Sequence, residues 1–344
     1  MKPLYVPLKL LADQALLDHL PRDIPERAQV ADELARTQAG WRGEQQLAYR
    51  LSSFQDDQAV RIFYGLCLGA AHNTFQIDTL VLTRQAAAIL EVKNYSGILT
   101  FHSDGQMIRT LSSRRDGCPN PILQAQRQAA LLTRWLSIRS FPQFPIEIRV
   151  AIANNTTIVE NPDHLQSVTS SVIHTEQIPT LLSRLIQEHS KKLPEKTLSE
   201  LEKQLLAAHT DTVHDVFPRF RLDPQIVRRG VRCPHCLDYT MARIPGAWRC
   251  TQCGAMNKQA HVPMILDYFL LFGPTMTNKQ CRWFLNMDDR QLIRYLLKKM
   301  NFKPIGNGCG RGLYYERPTH KMYHDYYLQT KKEMHSNSSK TPPF

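Results

Sequence analysis

The chain has 344 residues, of which 42% are hydrophobic and 22% charged, and its formal net charge is +12. That length allows about two to three domains. No run of about 18 apolar residues occurs, so no transmembrane helix is expected. The opening Met1-Lys2-Pro3-Leu4-Tyr5-Val6-Pro7 lacks the basic, apolar and small-residue stages of a secretory leader. Four of the eight cysteines fall in Cys-x-x-Cys pairs, and Cys67, Cys118, Cys281 and Cys309 are scattered. This pattern suits a reducing cytoplasm without membrane association better than a disulfide framework.

The charge is unevenly placed. Residues 1–217 carry 22 Lys and Arg against 23 Asp and Glu, whereas residues 218–344 carry 21 against 8. A basic half of this kind is the electrostatic footprint of a nucleic-acid binder. The competing explanation is a solvated basic surface.

In chain order, residues 4–36 read as helical, with Leu10, Leu11, Leu16, Leu17 and Leu20 apolar and breaks at Pro21 and Pro25. They form an expected N-terminal helical extension over 1–37. Next comes Gly40-Trp41-Arg42-Gly43-Glu44, running into a helix with Leu47 and Leu51 on one side. Phe75-Gln76-Ile77-Asp78-Thr79-Leu80-Val81-Leu82 and Ala88-Ile89-Leu90-Glu91-Val92-Lys93-Asn94 read as strands around a Thr83-Arg84-Gln85 turn. Charged residues inside apolar strands are costly unless they are paired or bind a metal. Glu91 and Lys93 share a face because side chains alternate along a strand, and Val92 points into the core. An antiparallel neighbour can bring Asp78 beside them. Two carboxylates can hold a hard divalent cation, and one ammonium can orient a water, which is the minimum for metal-assisted phosphodiester hydrolysis. Taken singly, Glu-x-Lys reads as a surface ion pair, Asp78 as an edge residue and Glu44 as an exposed helix acid. Downstream, Asn94-Tyr95-Ser96-Gly97 precedes Asn120-Pro121-Ile122-Leu123-Gln124, which opens a helix containing Leu131, Leu132 and Trp135.

The ordered Gly-x-x-Gly-Glu, Ile-Asp and Glu-Val-Lys-Asn-Tyr-x-Gly pieces resemble the nuclease-related domain (NERD) family of the PD-(D/E)XK nuclease superfamily, over roughly residues 38–155. The resemblance implies an α/β fold: a restriction-endonuclease-like core whose central mixed sheet is flanked by helices. It implies a catalytic Mg²⁺ or Mn²⁺ on Asp78, Glu91 and the Val92 carbonyl, with Lys93 orienting the attacking water. Glu44 is then an additional acid near the metal, and Gln124 a polar helper. DNA is the substrate this resemblance favours. No position of the pattern is missing.

Ile146–Ala153 and Ser171–His174 read as further strands, and 176–189 and 195–209 as amphipathic helices that close a domain over 38–209. Residues 210–230 read as a linker. Cys233-Pro234-His235-Cys236 and Cys250-Thr251-Gln252-Cys253, separated by 13 residues, then predict a zinc ribbon over 231–258. Four thiolates close the Zn²⁺ coordination sphere, so that ion is structural, and His235 is a remote alternative ligand. Arg228, Arg229, Arg232, Arg243 and Arg249 around it are candidate phosphate contacts. Residues 259–318 read as three helices and a hairpin, a winged-helix-like module with N-caps at Thr277 and at Asp288 or Asp289. Arg290, Arg294 and Lys298 recur every four residues as a basic stripe on its third helix, and Arg311 sits in the wing turn. The tail, 319–344, is expected to be disordered at its end, from Thr330 on. No phosphate-binding loop occurs, so any ATP-driven step needs a protein partner. Together these features predict a metal-dependent deoxyribonuclease. The rivals are a non-catalytic nucleic-acid-binding regulator on a degenerate core, or an adaptor within a DNA-processing or defence complex.

Overall fold

Two helices open the chain, α1 (Leu8–His19) and α2 (Glu26–Leu51). Proline disfavours helical backbone in the residue before it, and Leu20, before Pro21, is extended with ψ 143°. The computed structural model describes residues 1–54, 60–70, 73–188, 192–212, 214–306 and 312–338. The chain forms two units, Met1–Tyr5 with Gln38–Thr212, and Val6–Thr37 with Val213–Phe344. The stretch 1–37, expected as one extension, is therefore shared between them.

The first unit is built on strands β1 (Val60–Ala70), β2 (Asn73–Thr83) and β3 (Ala87–Lys93), an antiparallel meander. The Thr83 hydroxyl closes the β2–β3 turn by accepting from the backbone N–H groups of Gln85 and Ala86. Short strands β4 (Ile98–Phe101), β5 (Met107–Leu111) and β6 (Arg114–Cys118) follow, then helix α3 (Pro121–Ile138). Strand β7 (Ile146–Ile152), β8 (Ile158–Glu160), α4 (Gln166–Ser171), β9 (Val172–His174), α5 (Ile178–Glu188) and α6 (Glu195–Ala208) complete it.

The main sheet has the order β1-β2-β3-β7-β9, with β7 parallel to both β3 and β9. It is a mixed sheet with helices on both faces. Leu47 and Leu51 of α2 and Ile178, Leu182 and Leu185 of α5 pack on one face with Val81, Leu90 and Val92. Leu132, Trp135 and Leu136 of α3 and Leu198, Leu201 and Leu205 of α6 cover the other, against Phe63, Leu80 and Ile89. A second sheet, β6-β5-β4-β8, was not expected from the sequence. Its strand β6 is Arg-Arg-Asp-Gly-Cys, mostly exposed and without apolar alternation, so no period-two signal marks it.

In the second unit, α7 (Val216–Phe220) leads to the ribbon strands β10 (Met241–Ile244), β11 (Ala247–Cys250) and β12 (Met256–Asn257), paired antiparallel. Helix α8 (His261–Phe272), strand β13 (Thr275–Thr277), helices α9 (Asn278–Leu285) and α10 (Arg290–Lys299), and strand β14 (Tyr314–Glu316) follow. Thr277 and Gln280 form a capping box on α9, and Asp289 caps α10. Strand β14 pairs antiparallel with β13 and bridges Ile305. Three helices thus accompany a two-stranded sheet whose strands flank α9 and α10 in sequence. The wing turn and Arg311 lie outside the described residues. One core joins Leu16 and Leu20 of the α1 region to Cys233, Trp248, Phe269, Phe284 and Leu296.

The described part of the tail forms helix α11 (His320–Ser338), and residues 339–344 lie outside the described residues. Tyr323 explains the docking: it is buried and its hydroxyl donates to the Leu266 carbonyl at 3.1 Å.

Candidate active site

The β2–β3 register that pairs Thr79 with Leu90 places Asp78 opposite Glu91. Asp78 Oδ2 accepts the Val92 backbone N–H at 3.0 Å. Lys93 Nζ donates to Glu91 Oε1 at 2.6 Å and to Gln124 Oε1 at 3.3 Å. The structure brings Asp78, Glu91, Val92, Lys93 and Gln124 together at one end of the main sheet. Val92 packs into the core against Leu47 and Leu90, so Glu91 and Lys93 share the opposite face.

Glu44 reaches the same place from α2. Helix and strand come close because Gly43 carries no side chain: a Cβ there would stand 2.8 Å from Asn94 Cβ and 3.3 Å from Val92 Cγ1. Asn94 Nδ2 also donates to the Ala39 carbonyl at 2.7 Å. Gly43 is therefore the close-approach position that lets α2 bring in Glu44.

Three carboxyl groups in a poorly hydrated place oppose each other's ionisation. Burial, then the charges of Asp78 and Glu91, push Glu44 up to about 8. Burial and the neighbouring Glu91 push Asp78 up to about 7, against the pull of Lys93. Burial lowers the Lys93 ammonium, but Glu91, Asp78 and Tyr95 outweigh it and leave it above its ordinary value. The donor set is all oxygen, which suits a hard divalent cation such as Mg²⁺ or Mn²⁺ held by one or two carboxylates plus waters. The residues fit such an ion on Asp78 and Glu91. Glu44 stands further out: among the described residues, only the four cysteines form a group of three or more metal-type side chains with ligand atoms within 4.8 Å of one another.

Two participants escape a sequence reading. Gln128, one turn beyond Gln124 on α3 and 5% exposed, donates from Nε2 to Glu91 Oε2 at 2.8 Å. Its signal is only the helical spacing of two glutamines. Lys2 is also buried, and its Nζ donates to the Tyr64 carbonyl at 2.7 Å. Nothing local in the sequence marks it.

Cys233, Cys236, Cys250 and Cys253 bring their sulfurs together, with Cys233–Cys253 at 3.7 Å and Cys236–Cys250 at 3.6 Å. A tetrahedral zinc with bonds of about 2.3 Å requires sulfur separations of about 3.8 Å, so the set fits zinc. Backbone N–H groups of His235 and Cys253 point at Cys233 and Cys250 sulfurs at 3.4 and 3.3 Å, so His235 contributes its backbone and its ring is not part of the cluster.

The expected basic contacts divide into two groups. Arg228 is engaged by Asp238 at 2.9 Å and lies over Tyr239, and Arg232 is engaged by Asp18 at 2.8 Å. Their charges are compensated in place, and so is that of Arg243 partly, by stacking on Trp248. Arg249, Arg290, Arg294 and Lys298 are exposed, and Arg229 is exposed over the Trp283 ring.

Residues 39–153 match one family, described as NERD, the nuclease-related domain. The matched stretch contains Glu44, Asp78, Glu91, Lys93 and Gln124. No curated protein and no solved structure matches the chain.

Proposed function

We propose that this protein is a metal-dependent nuclease that hydrolyses phosphodiester bonds in DNA. The observation that carries this reading is the meeting of Asp78, Glu91 and Lys93, with Glu44 and Gln124, within a nuclease-related domain. Asp78, Glu91 and the Val92 carbonyl would hold a divalent cation, which would supply Lewis acidity toward the phosphate and the attacking water. Lys93 orients that water and places positive charge where negative charge develops, an effect worth about 3–4 kcal/mol for one well-placed donor. Gln124 steadies Lys93, and Gln128 fixes the second oxygen of Glu91. The zinc ribbon is a structural element that presents Arg249. The exposed stripe Arg290, Arg294 and Lys298, with Arg229 and Arg311, carries the nucleic acid through phosphate contacts. Binding then weakens by about 0.9 log units per log unit of salt for each duplex phosphate neutralised.

The test is cleavage of supercoiled and linear DNA with Mg²⁺, Mn²⁺ or no divalent ion, wild type beside Asp78→Asn/Glu91→Gln. Metal-dependent cutting that disappears in the variant is expected, with DNA retention unchanged. Failure to cut in any metal, with salt-sensitive retention intact, would overturn the nuclease reading in favour of a binding regulator.

A further inference from the structure

Arg109 is a cation of the first unit that the mechanism above does not use. It lies on β5, where the register pairs it with Leu99 of β4, as it pairs Met107 with Phe101. Leu99, Phe101 and Met107 are buried in one core with Val150 and Ile152 of β7. Residues directly opposite each other share a face, so Arg109 is a charge at the end of an apolar row. A charge in such a row is costly unless it is paired or hydrogen-bonded.

The loop that follows Lys93 holds it. Gly97 adopts φ +94°, and a Cβ there would overlap the Thr110 carbonyl oxygen. The missing side chain lets β5 lie against that loop. Arg109 Nε donates to the Ser96 carbonyl and Nη2 to the Ser96 hydroxyl, both at 2.9 Å. The guanidinium carbon lies 5.4 Å from the centre of the Tyr95 ring, within the range of a cation–π contact. The loop itself is fastened from the other side. Ile158 N–H donates to the Gly97 carbonyl at 3.0 Å, and the Thr157 hydroxyl donates to the Tyr95 carbonyl. Tyr95 is two residues beyond Lys93, so their Cα atoms are at most about 7 Å apart.

One end of the guanidinium is left over. Arg50, Arg61, Arg114 and Arg149 of the same unit all pair with carboxylates. Asp116 stands opposite Arg109 across β5 and β6, yet its carboxylate is engaged by Arg114 at 2.8 Å. Arg109 is half-buried, and among the described residues it has no carboxylate partner and its Nη1 has no hydrogen bond. A guanidinium fixed on one edge and open on the other suits a phosphate oxygen, to which it offers a charge-assisted hydrogen bond from a preset position. Resting on the nuclease reading above, we propose that Arg109 is a substrate-binding residue that takes, through Nη1, a backbone phosphate flanking the scissile bond, with Ser96 and Tyr95 holding it in place.

The experiment measures retention of duplex DNA against salt by the zinc-loaded full chain carrying Asp78→Asn/Glu91→Gln, without divalent ions. This background does not need cleavage and removes two carboxylates from the site. Each phosphate contact adds about 0.9 to the slope of log affinity against log salt, whatever the other contacts. Arg109→Met should therefore lower the slope by about 0.9 and weaken retention about tenfold. Arg109→Lys, which keeps the charge, should hold the slope. Arg109→Gln, which can still donate to Ser96, is the second neutral variant and should match Arg109→Met; it decides alone if Arg109→Met does not fold. A merely structural arginine gives an unchanged slope in the neutral variants, and that result overturns the proposal. In the protein with its carboxylates intact, cutting with Mn²⁺, Arg109→Met should raise KM far more than it lowers kcat, the mark of a contact made in both ground and transition states. A lower kcat at unchanged KM would mean that Arg109 only steadies the loop behind Lys93, and would also overturn it. No cutting by wild type in any metal, with the slope still lower in Arg109→Met, would remove the nuclease and leave Arg109 as a phosphate contact.

Discussion

Replacing Gly43 by alanine tests how Glu44 is delivered, and Gly40 provides the internal control. Both glycines lie inside α2, so alanine gains about 1 kcal/mol of helix propensity at either position. At Gly40 a Cβ meets no atom within 4 Å. At Gly43 it would stand 2.8 Å from Asn94 Cβ and 3.3 Å from Ala153 Cβ. The first contact is about 1 Å inside ordinary carbon–carbon separation, and overpacking of this kind costs about 1–3 kcal/mol. Gly40→Ala should therefore stabilise the protein by up to about 1 kcal/mol, while Gly43→Ala is between neutral and about 2 kcal/mol less stable than wild type. Urea midpoints at equal m values report the difference. The displaced helix also carries Glu44 and the Ala39 carbonyl that holds Asn94, so Mn²⁺ binding should weaken in Gly43→Ala and not in Gly40→Ala. Equal stabilisation by the two substitutions, with equal Mn²⁺ binding, would refute the close-approach account.

Two further outcomes follow from the sites. Glu44 and Asp78, held up to about 8 and about 7 in the fold, bind protons there that the unfolded chain releases at lower pH. Their contribution is fully present below about pH 4 and is lost as pH rises to about 8, on the order of a few kcal/mol. In divalent-free buffer, Glu44→Gln should therefore gain stability over wild type as pH is raised from 5 to 8.5, read by urea denaturation; a gain that shrinks with pH would contradict the assignment. Cys233→Ser/Cys236→Ser should lose zinc and, because Cys233 shares a core with Trp248 and Phe284, lower the melting temperature by more than about 5 °C. Unchanged zinc content by elemental analysis would disprove the four-cysteine site.

The carboxylate cluster was readable because its members violate their surroundings. Asp78 and Glu91 interrupt apolar strands, whereas Glu44 and Gln124 entered only through the family resemblance. The cysteine pairs were readable because their spacing is itself the coordination geometry. Strands β4 to β6 were not, since Arg114-Arg115-Asp116 offers no apolar alternation and pairing with β5 makes it a strand. Gln128 looks like any helix-surface glutamine until Glu91 is placed beneath it. Lys2 is buried by pairing with β1, about sixty residues away, which nothing local to it announces. Arg228 and Arg232 looked available for phosphate only because Asp238 and Asp18 were not yet beside them.

The division of the chain has a consequence for how the molecule comes into being. Val6–Thr37 belongs with Val213–Phe344, while Gln38–Thr212 forms the other unit. On the ribosome, at about 5–20 residues per second, Leu16, Leu20 and Val30 wait roughly ten to forty seconds before the helices that cover them are even synthesised. The nuclease-related domain is complete in sequence during that interval, so the nascent chain carries an uncovered leucine face beside it. A chain cut after Thr212 would keep that face permanently, and expression of the first unit alone calls for starting near Gln38 with Met1–Tyr5 supplied separately.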